Sequence, residues 1–173
     1  VRGLGDQSLT EVFGGTENDL FHVSSDANGT PGDTTYDPSG NLDSLLGELC
    51  VFGNDNNLLP SFDDTVTAKG SNVSLSVARG DELNISDASS VSSNDYTLST
   101  TEFQRGSDPV IVFDTIESIR VETGNGDDRL AISGTNASSL TRVDTDGGND
   151  TITVTSTGSG SILQADAGPE NDN

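Results

Sequence analysis

One feature limits this chain more than any other: it repeats itself every 22 residues. Ile119-Arg-Val-Glu-Thr-Gly-Asn-Gly-Asp-Asp-Arg-Leu-Ala-Ile132 aligns with Thr141-Arg-Val-Asp-Thr-Asp-Gly-Gly-Asn-Asp-Thr-Ile-Thr-Val154, and a third row in the same frame, from Leu163, runs to Asn173. The columns agree in chemistry. Val121, Val143 and Ala165 share one apolar column, Leu130 and Ile152 another, Ile132 and Val154 a third, and Asp128, Asp150 and Asp172 form a carboxylate column. Each row holds two short alternating apolar segments separated by a Gly- and Asn-rich turn, the period-2 pattern of strands rather than the 3.6 pattern of helices. Repetition at this period means stacked rows, each unable to bury its apolar face alone.

Upstream, the same core of an Asp followed by apolar residues at +2 and +4 recurs less regularly, at Asp19, Asp64 and Asp81. The regular rows occupy 109–173. Residues 1–108 form an irregular β-repeat region with a loop insertion near 24–44, and the two are expected to make one continuous domain. Only Leu42, Leu45, Leu46 and Leu49 show helical spacing, interrupted by Gly47, so at most one short helix is expected. Stacked rows predict an all-β, parallel β-solenoid (β-helix or β-roll-like) with coils of 22 residues, its like residues about 4.8 Å apart along a sheet. The alternative is an antiparallel β-sandwich, since Gly-containing turns of this length also suit hairpins.

Composition excludes several functions. Hydrophobic residues make up 30% of the 173 and there is no Trp or Met, which fits a thin interior and not a thick globular core. Seven Lys and Arg against 29 Asp and Glu give a net charge of −22, incompatible with holding nucleic acid through a basic patch. The apolar run Val110 to Phe113 is far short of the roughly 20 residues of a membrane helix, so no membrane insertion is expected. Cys50 is the sole cysteine and His22 the sole histidine, each in an apolar strand-like context. An internal disulfide and Cys-based zinc are therefore excluded, and nucleophilic triads are poorly supplied. A carbohydrate-active β-helix enzyme (a polysaccharide lyase or hydrolase) is the rival class, with a carbohydrate-binding module beside it. Both want an aromatic-lined surface, and a lyase wants cationic groups, of which this chain has few. The expectation is that it is not an enzyme.

The turn residues carry the chemistry. In stacked rows Asp128 and Asp150 become neighbours, with Asp127, Asp144, Asp146 and Asn149 close by, and Asp19 begins an upstream unit of the same kind. Two like charges about 4.8 Å apart repel by roughly 0.9 kcal/mol in water and by more in a drier turn, so something must offset the column. An oxygen-rich set of carboxylates, amides and backbone carbonyls suits calcium better than zinc or copper. The competing reading is a column of turn formers chosen for positive φ and local hydrogen bonds. A second oxygen-rich stretch, Asp26 to Asp37, fails as an EF-hand loop because Pro31 takes the position that requires Gly, and it is expected to be a surface loop.

Thr123-Gly-Asn-Gly-Asp-Asp-Arg-Leu-Ala131 fits the nonapeptide G-G-x-G-x-D-x-U-x except at its first position, and Gly14-Gly-Thr-Glu-Asn-Asp-Leu-Phe-His22 fits except at Glu17. On these residues, together with Gly80 to Asp87 and Ile116 to Asp128, the chain resembles the Gly/Asp/Asn-rich repeat proteins of bacterial surfaces related to hemolysin-type calcium-binding repeats. The resemblance implies a secreted or surface-displayed, extended, structural or adhesive protein, often calcium-dependent. Single copies here stand 22 residues apart where the calcium roll has them consecutive, so that family's ligand geometry does not carry over intact.

Asn28, Asn72, Asn84 and Asn136 open glycosylation sequons, as does Asn149, a number close to what this Ser- and Thr-rich composition gives by chance; Asn28 and Asn136, in expected loops, are the best candidates for a glycan. The chain starts at Val1 and its third row stops in mid-pattern, so a portion of something longer is expected, or copies of itself joined end to end as a filament. The function expected from sequence is a structural segment or subunit of a cell-surface or extracellular protein, calcium-stabilised, mechanical or adhesive.

Overall fold

A computed structural model describes residues 8–16, 18–25, 40–54, 62–68, 71–77 and 80–173. The fold is all strands, with no helix among the described residues. Seven strands form one sheet in the order β1 (Leu9–Phe13), β3 (Glu48–Phe52), β9 (Ile111–Asp114), β8 (Glu102–Arg105), β7 (Asp95–Leu98), β11 (Arg129–Ile132) and β13 (Thr151–Val154). Five more form a second sheet in the order β14 (Ile162–Asp166), β12 (Leu140–Asp144), β10 (Ser118–Glu122), β6 (Glu82–Ser86) and β2 (Leu20–Val23). A separate antiparallel pair, β4 (Phe62–Ala68) with β5 (Ser71–Val77), carries the Asp64 unit, whose side chains lie outside the described residues.

The 22-residue rows stand in register. Val121 pairs with Val143 and Val143 with Ala165, all parallel; on the other sheet Leu130 pairs with Ile152 and Ile132 with Val154. Two inward columns cross the five-stranded sheet: Phe21, Leu83, Ile119, Thr141 and Leu163 in one, apolar except at Thr141, and Val23, Ile85, Val121, Val143 and Ala165 in the other. They meet Leu49, Val51, Tyr96, Leu98, Phe103, Ile111, Phe113, Leu130 and Ile132 from the seven-stranded sheet in one buried cluster. Period-2 alternation sends these residues to one face of each sheet, and parallel pairing lays like on like, so a modest apolar content fills a thin interior.

The expected parallel solenoid is not what forms. The seven-stranded sheet is mixed, because β8 runs antiparallel to both β7 and β9, and neither sheet closes. The antiparallel sandwich fails as well, since the five-stranded sheet is parallel throughout. The physical reason lies in the connections. Only Ser99, Thr100 and Thr101 separate β7 from β8, and a parallel pair needs a crossover of a dozen or more residues. Ser99 closes that turn: its N–H donates to Glu102 O at 2.8 Å and its Oγ accepts from Glu102 N–H at 3.0 Å. Gly106, at φ 55°, turns the chain again after β8. Phe103 of β8 then lands in the core, stacked on Tyr96 at 5.9 Å.

The helically spaced Leu42, Leu45, Leu46 and Leu49 form no helix: Leu42 and Leu45 are buried in a turn, and Leu49 already belongs to β3. The Asp26–Asp37 loop lies outside the described residues.

Candidate functional site: the carboxylate ladders

Asp128 and Asp150 sit immediately before β11 and β13, each 1% exposed. Each accepts the backbone amide of the preceding row: Asn94 N–H donates to Asp128 Oδ1 at 2.8 Å, Asp128 N–H to Asp150 Oδ1 at 2.8 Å, and Asp150 N–H to Asp172 Oδ1 at 2.9 Å. A second ladder precedes the strands of the other sheet, where Asp19 N–H donates to Asp81 Oδ1 and Asp81 N–H to Glu117 Oε2, both at 2.7 Å. An N–H aimed at a carboxylate is a charge-assisted bond, about twice as strong as a neutral one, and it offsets the repulsion between stacked acids. One carboxylate per row thus fastens that row to the last.

Asp19 and Asp128 therefore belong to different ladders on different sheets. The Asp-plus-two-apolar motif is a strand-entry signal used by both sheets. The Glu117 rung was missed because Glu reaches the same amide with a longer side chain; the acid at that offset before Ile119 was the available signal.

The other sequence candidates disperse. Asp127 is exposed, and its Oδ1 accepts both Asn149 N–H at 2.8 Å and Asn149 Nδ2 at 3.2 Å, bonds that hold its pKa below the usual range. Asp144 Oδ1 caps its own turn, accepting Asp146 N–H at 3.1 Å, and Asp166 does the same for Gly168 one row later at 3.1 Å. Asp146 is exposed at φ 57°, the left-handed region that Asp tolerates in turns. Among the described residues no group of three or more His, Cys, Asp or Glu is arranged to hold a metal ion. Calcium takes six to eight oxygens around one point, and nothing in this arrangement supports it: one oxygen of each ladder acid accepts an amide of the adjoining row.

Ladder acids still bear a cost. The second oxygens of Asp128 and Asp150 are buried without a partner of good hydrogen-bond geometry, as is Thr145 Oγ1. Burial pushes the Asp128 carboxyl above the usual range; the Asn94 amide, the Thr123 hydroxyl and the Gly124 amide pull it back, and the Asp150 charge adds to the rise. The turns beside the ladders are packed so closely that some positions admit only Gly. A Cβ on Gly126 would lie 2.3 Å from Ser92 O, and one on Gly148 would lie 2.2 Å from Gly126 O.

A polar cavity of about 420 Å³ opens beside the first ladder, lined by Asn41, Asp43, Ser92, Asn94, Arg105 and Asp108 among others. Arg105 on its wall bonds Asp108 at 2.6 Å, Asp43 at 2.9 Å and the fully buried Asp87 at 3.0 Å. Asp87 also accepts Tyr96 O–H at 2.7 Å and Leu42 N–H at 2.8 Å. Burial, and then Asp87, drive the Tyr96 pKa far up, so this phenol stays a donor. The network ties the strand-free segment at 40–45 to β7 and β8. No sequence pattern announced it, since its members lie up to 62 residues apart.

Of the sequon residues, Asn84 is 3% exposed in the middle of β6, so the folded chain gives no access to it. Asn136 lies half-exposed in the β11–β12 loop. Asn149 is exposed but engaged with Asp127. Asn28 and the Asn72 side chain lie outside the described residues. Cys50 is buried, and burial raises its pKa; burial lowers that of His22 on β2.

Compared with known proteins, the chain matches no family model, no curated protein and no solved structure.

Proposed function

We propose that this chain is a structural segment or subunit of an extended protein or filament, secreted or held at a cell surface, with a mechanical or adhesive role and not a catalytic one. The observation that carries the reading is the ladder: buried carboxylates, the groups an enzyme would hold in a cleft, are instead bonded to the amide of the preceding row. Such bonds lie along the same direction as the strand-to-strand hydrogen bonds and add to them, so pulling one row off another breaks both sets together. The strong acidity keeps such a surface soluble, and Asn136 is the sequon that the fold best leaves open to a glycan. Extracellular placement is supported by the resemblance on Thr123 to Ala131 and by the acidic, Ser- and Thr-rich surface.

Electron microscopy of the native material tests the reading, alongside incubation of the purified chain with neutral and acidic polysaccharides. Rods or fibres and intact polysaccharide are the expected results. Turnover of a polysaccharide, abolished by substituting a ladder acid, would replace this reading with the enzymatic one.

A further inference from the structure

We infer that the polar cavity beside the first ladder binds one unit of a neutral saccharide, whose vicinal hydroxyls are read by Arg105, Asp108 and Asp43. This goes beyond the structural reading above and gives the adhesive role a ligand.

Arg105 is held on every side but one. Its Nε donates to Asp108 Oδ2 at 2.6 Å, and its Nη1 donates to Asp43 Oδ1 at 2.9 Å and to the two oxygens of Asp87 at 3.0 and 3.1 Å. Nη2 has no hydrogen-bond partner among the described residues, and the side chain, 12% exposed, reaches the cavity wall. Asp87 is itself fixed by Tyr96 and Leu42, so the guanidinium is set before a ligand arrives and ordering it costs binding little. Asp108 and Asp43 each spend one oxygen on Arg105, and the second oxygen of each has no partner among the described residues. Nη2 shares an edge of the planar guanidinium with Nε, so an open donor stands on the side where Asp108 is held. Ser89 and Ser90 line the same space; their hydroxyl oxygens accept Gly40 N–H at 3.0 Å and Asn94 Nδ2 at 3.1 Å, which leaves each a proton to donate.

Charge decides the class of ligand. An anion would face Asp43 and Asp108, and a cation would meet the open donors of a guanidinium. Donors and acceptors side by side suit a group that is both: a hydroxyl accepts from Nη2 while donating to a carboxylate, and the hydroxyl on the next carbon repeats the pattern. Vicinal hydroxyls on a compact neutral frame are saccharide chemistry. Val91 is the one large apolar side chain among the described lining residues, so an aromatic or hydrophobic ligand finds nothing to pack on. The volume, about 420 Å³, falls within the roughly 300–1,000 Å³ of small-ligand sites. A net charge of −22 repels acidic glycans before they arrive. Hydrogen bonds exchanged against water give weak binding, with Kd on the order of 1 mM, and many copies along a fibre would multiply it without any new contact.

Nitrogen-15 NMR of the purified chain tests this, with methyl α-mannoside, methyl β-galactoside and methyl β-glucoside added to about 100 mM, and glucuronate and glucosamine as charged probes. Saturable shifts at Asn94 and at Gly106 to Asp108 are expected with at least one neutral glycoside, and weaker ones with either charged sugar. Ser107→Trp, at the exposed rim of the cavity, is expected to abolish the binding, and Asp43→Ala to weaken it about tenfold by removing a charged acceptor. Should the tryptophan variant lose its melting transition, Asp43→Ala, at an exposed side chain, carries the test. No saturable shift with any of the three glycosides overturns the inference, as does preference for a charged sugar or binding that the folded variants retain in full. Rods in native material combined with no sugar binding would sink the saccharide site while leaving the structural role standing, and sugar binding by a chain that forms no rods would do the reverse.

Discussion

Replacing Gly126 with Ala tests the claim that rows are held at a distance set by their turns. The added Cβ would sit 2.3 Å from Ser92 O, 2.5 Å from Ser92 C and 2.7 Å from Ser93 N, all backbone atoms that no rotamer change can move. The two turns must part by roughly 0.7 Å to reach even a tight contact. They are pinned on both sides: Asn125 N–H donates to Ser90 O at 2.8 Å, Asn94 Nδ2 to Ser92 O at 2.8 Å, and Asn94 N–H to Asp128 Oδ1 at 2.8 Å. Overpacking of this kind costs about 1–3 kcal/mol, and the stretched bonds place the figure at the upper half of that range. At about 2–3 kcal/mol, a domain of this size should lose roughly 4–12 °C in Tm. Gly134→Ala is the matched control. Its Cβ would find only side-chain atoms at 3.4 Å, and its φ lies outside the left-handed region, so the change should be neutral or stabilise by about 0.4–1 kcal/mol through the unfolded chain. Calorimetric melts of both variants decide the matter. Equal melting of the two, or Gly126→Ala within about 2 °C of wild type, would refute close row stacking at this turn.

Asp128→Ala leaves the Asn94 N–H without its acceptor and should cost about 1–3 kcal/mol in a denaturant titration, whereas Asp128→Asn keeps an acceptor oxygen, removes a buried charge and should cost little or nothing at neutral pH. Because burial raises the Asp128 pKa in the folded chain, that group favours unfolding while ionised, and the penalty is relieved as pH falls through the folded pKa toward the ordinary carboxylate value. Tm should therefore rise on mild acidification from neutral pH, and less so in Asp128→Asn; a flat or falling wild-type profile over that window would count against it. Tyr96→Phe leaves buried Asp87 short of a donor and should cost about 1.5–3 kcal/mol, read as a shifted urea midpoint with an unchanged slope. Chelation with EGTA should leave Tm where it was, since amides and not a cation hold the ladder acids; a fall of several degrees, reversed by added calcium, would show that account to be wrong.

The sequence by itself determined which residues lie over which. Val121 over Val143 over Ala165 follows from a 22-residue period and two-residue alternation, because in-register parallel pairing sets like on like wherever one face must be buried. It also marked the acids that begin strands and the turns that need Gly. Tertiary structure decided the rest. The antiparallel β8 arises from a three-residue turn whose consequence for direction appears only when Phe103 finds its place against Tyr96. The division of the acids between two ladders is equally invisible in one dimension, since Asp19 and Asp128 open strands with the same local pattern on opposite sheets. Whether a row of carboxylates faces a cation or an amide depends on where the previous row's N–H points, and that direction exists only once the rows have stacked.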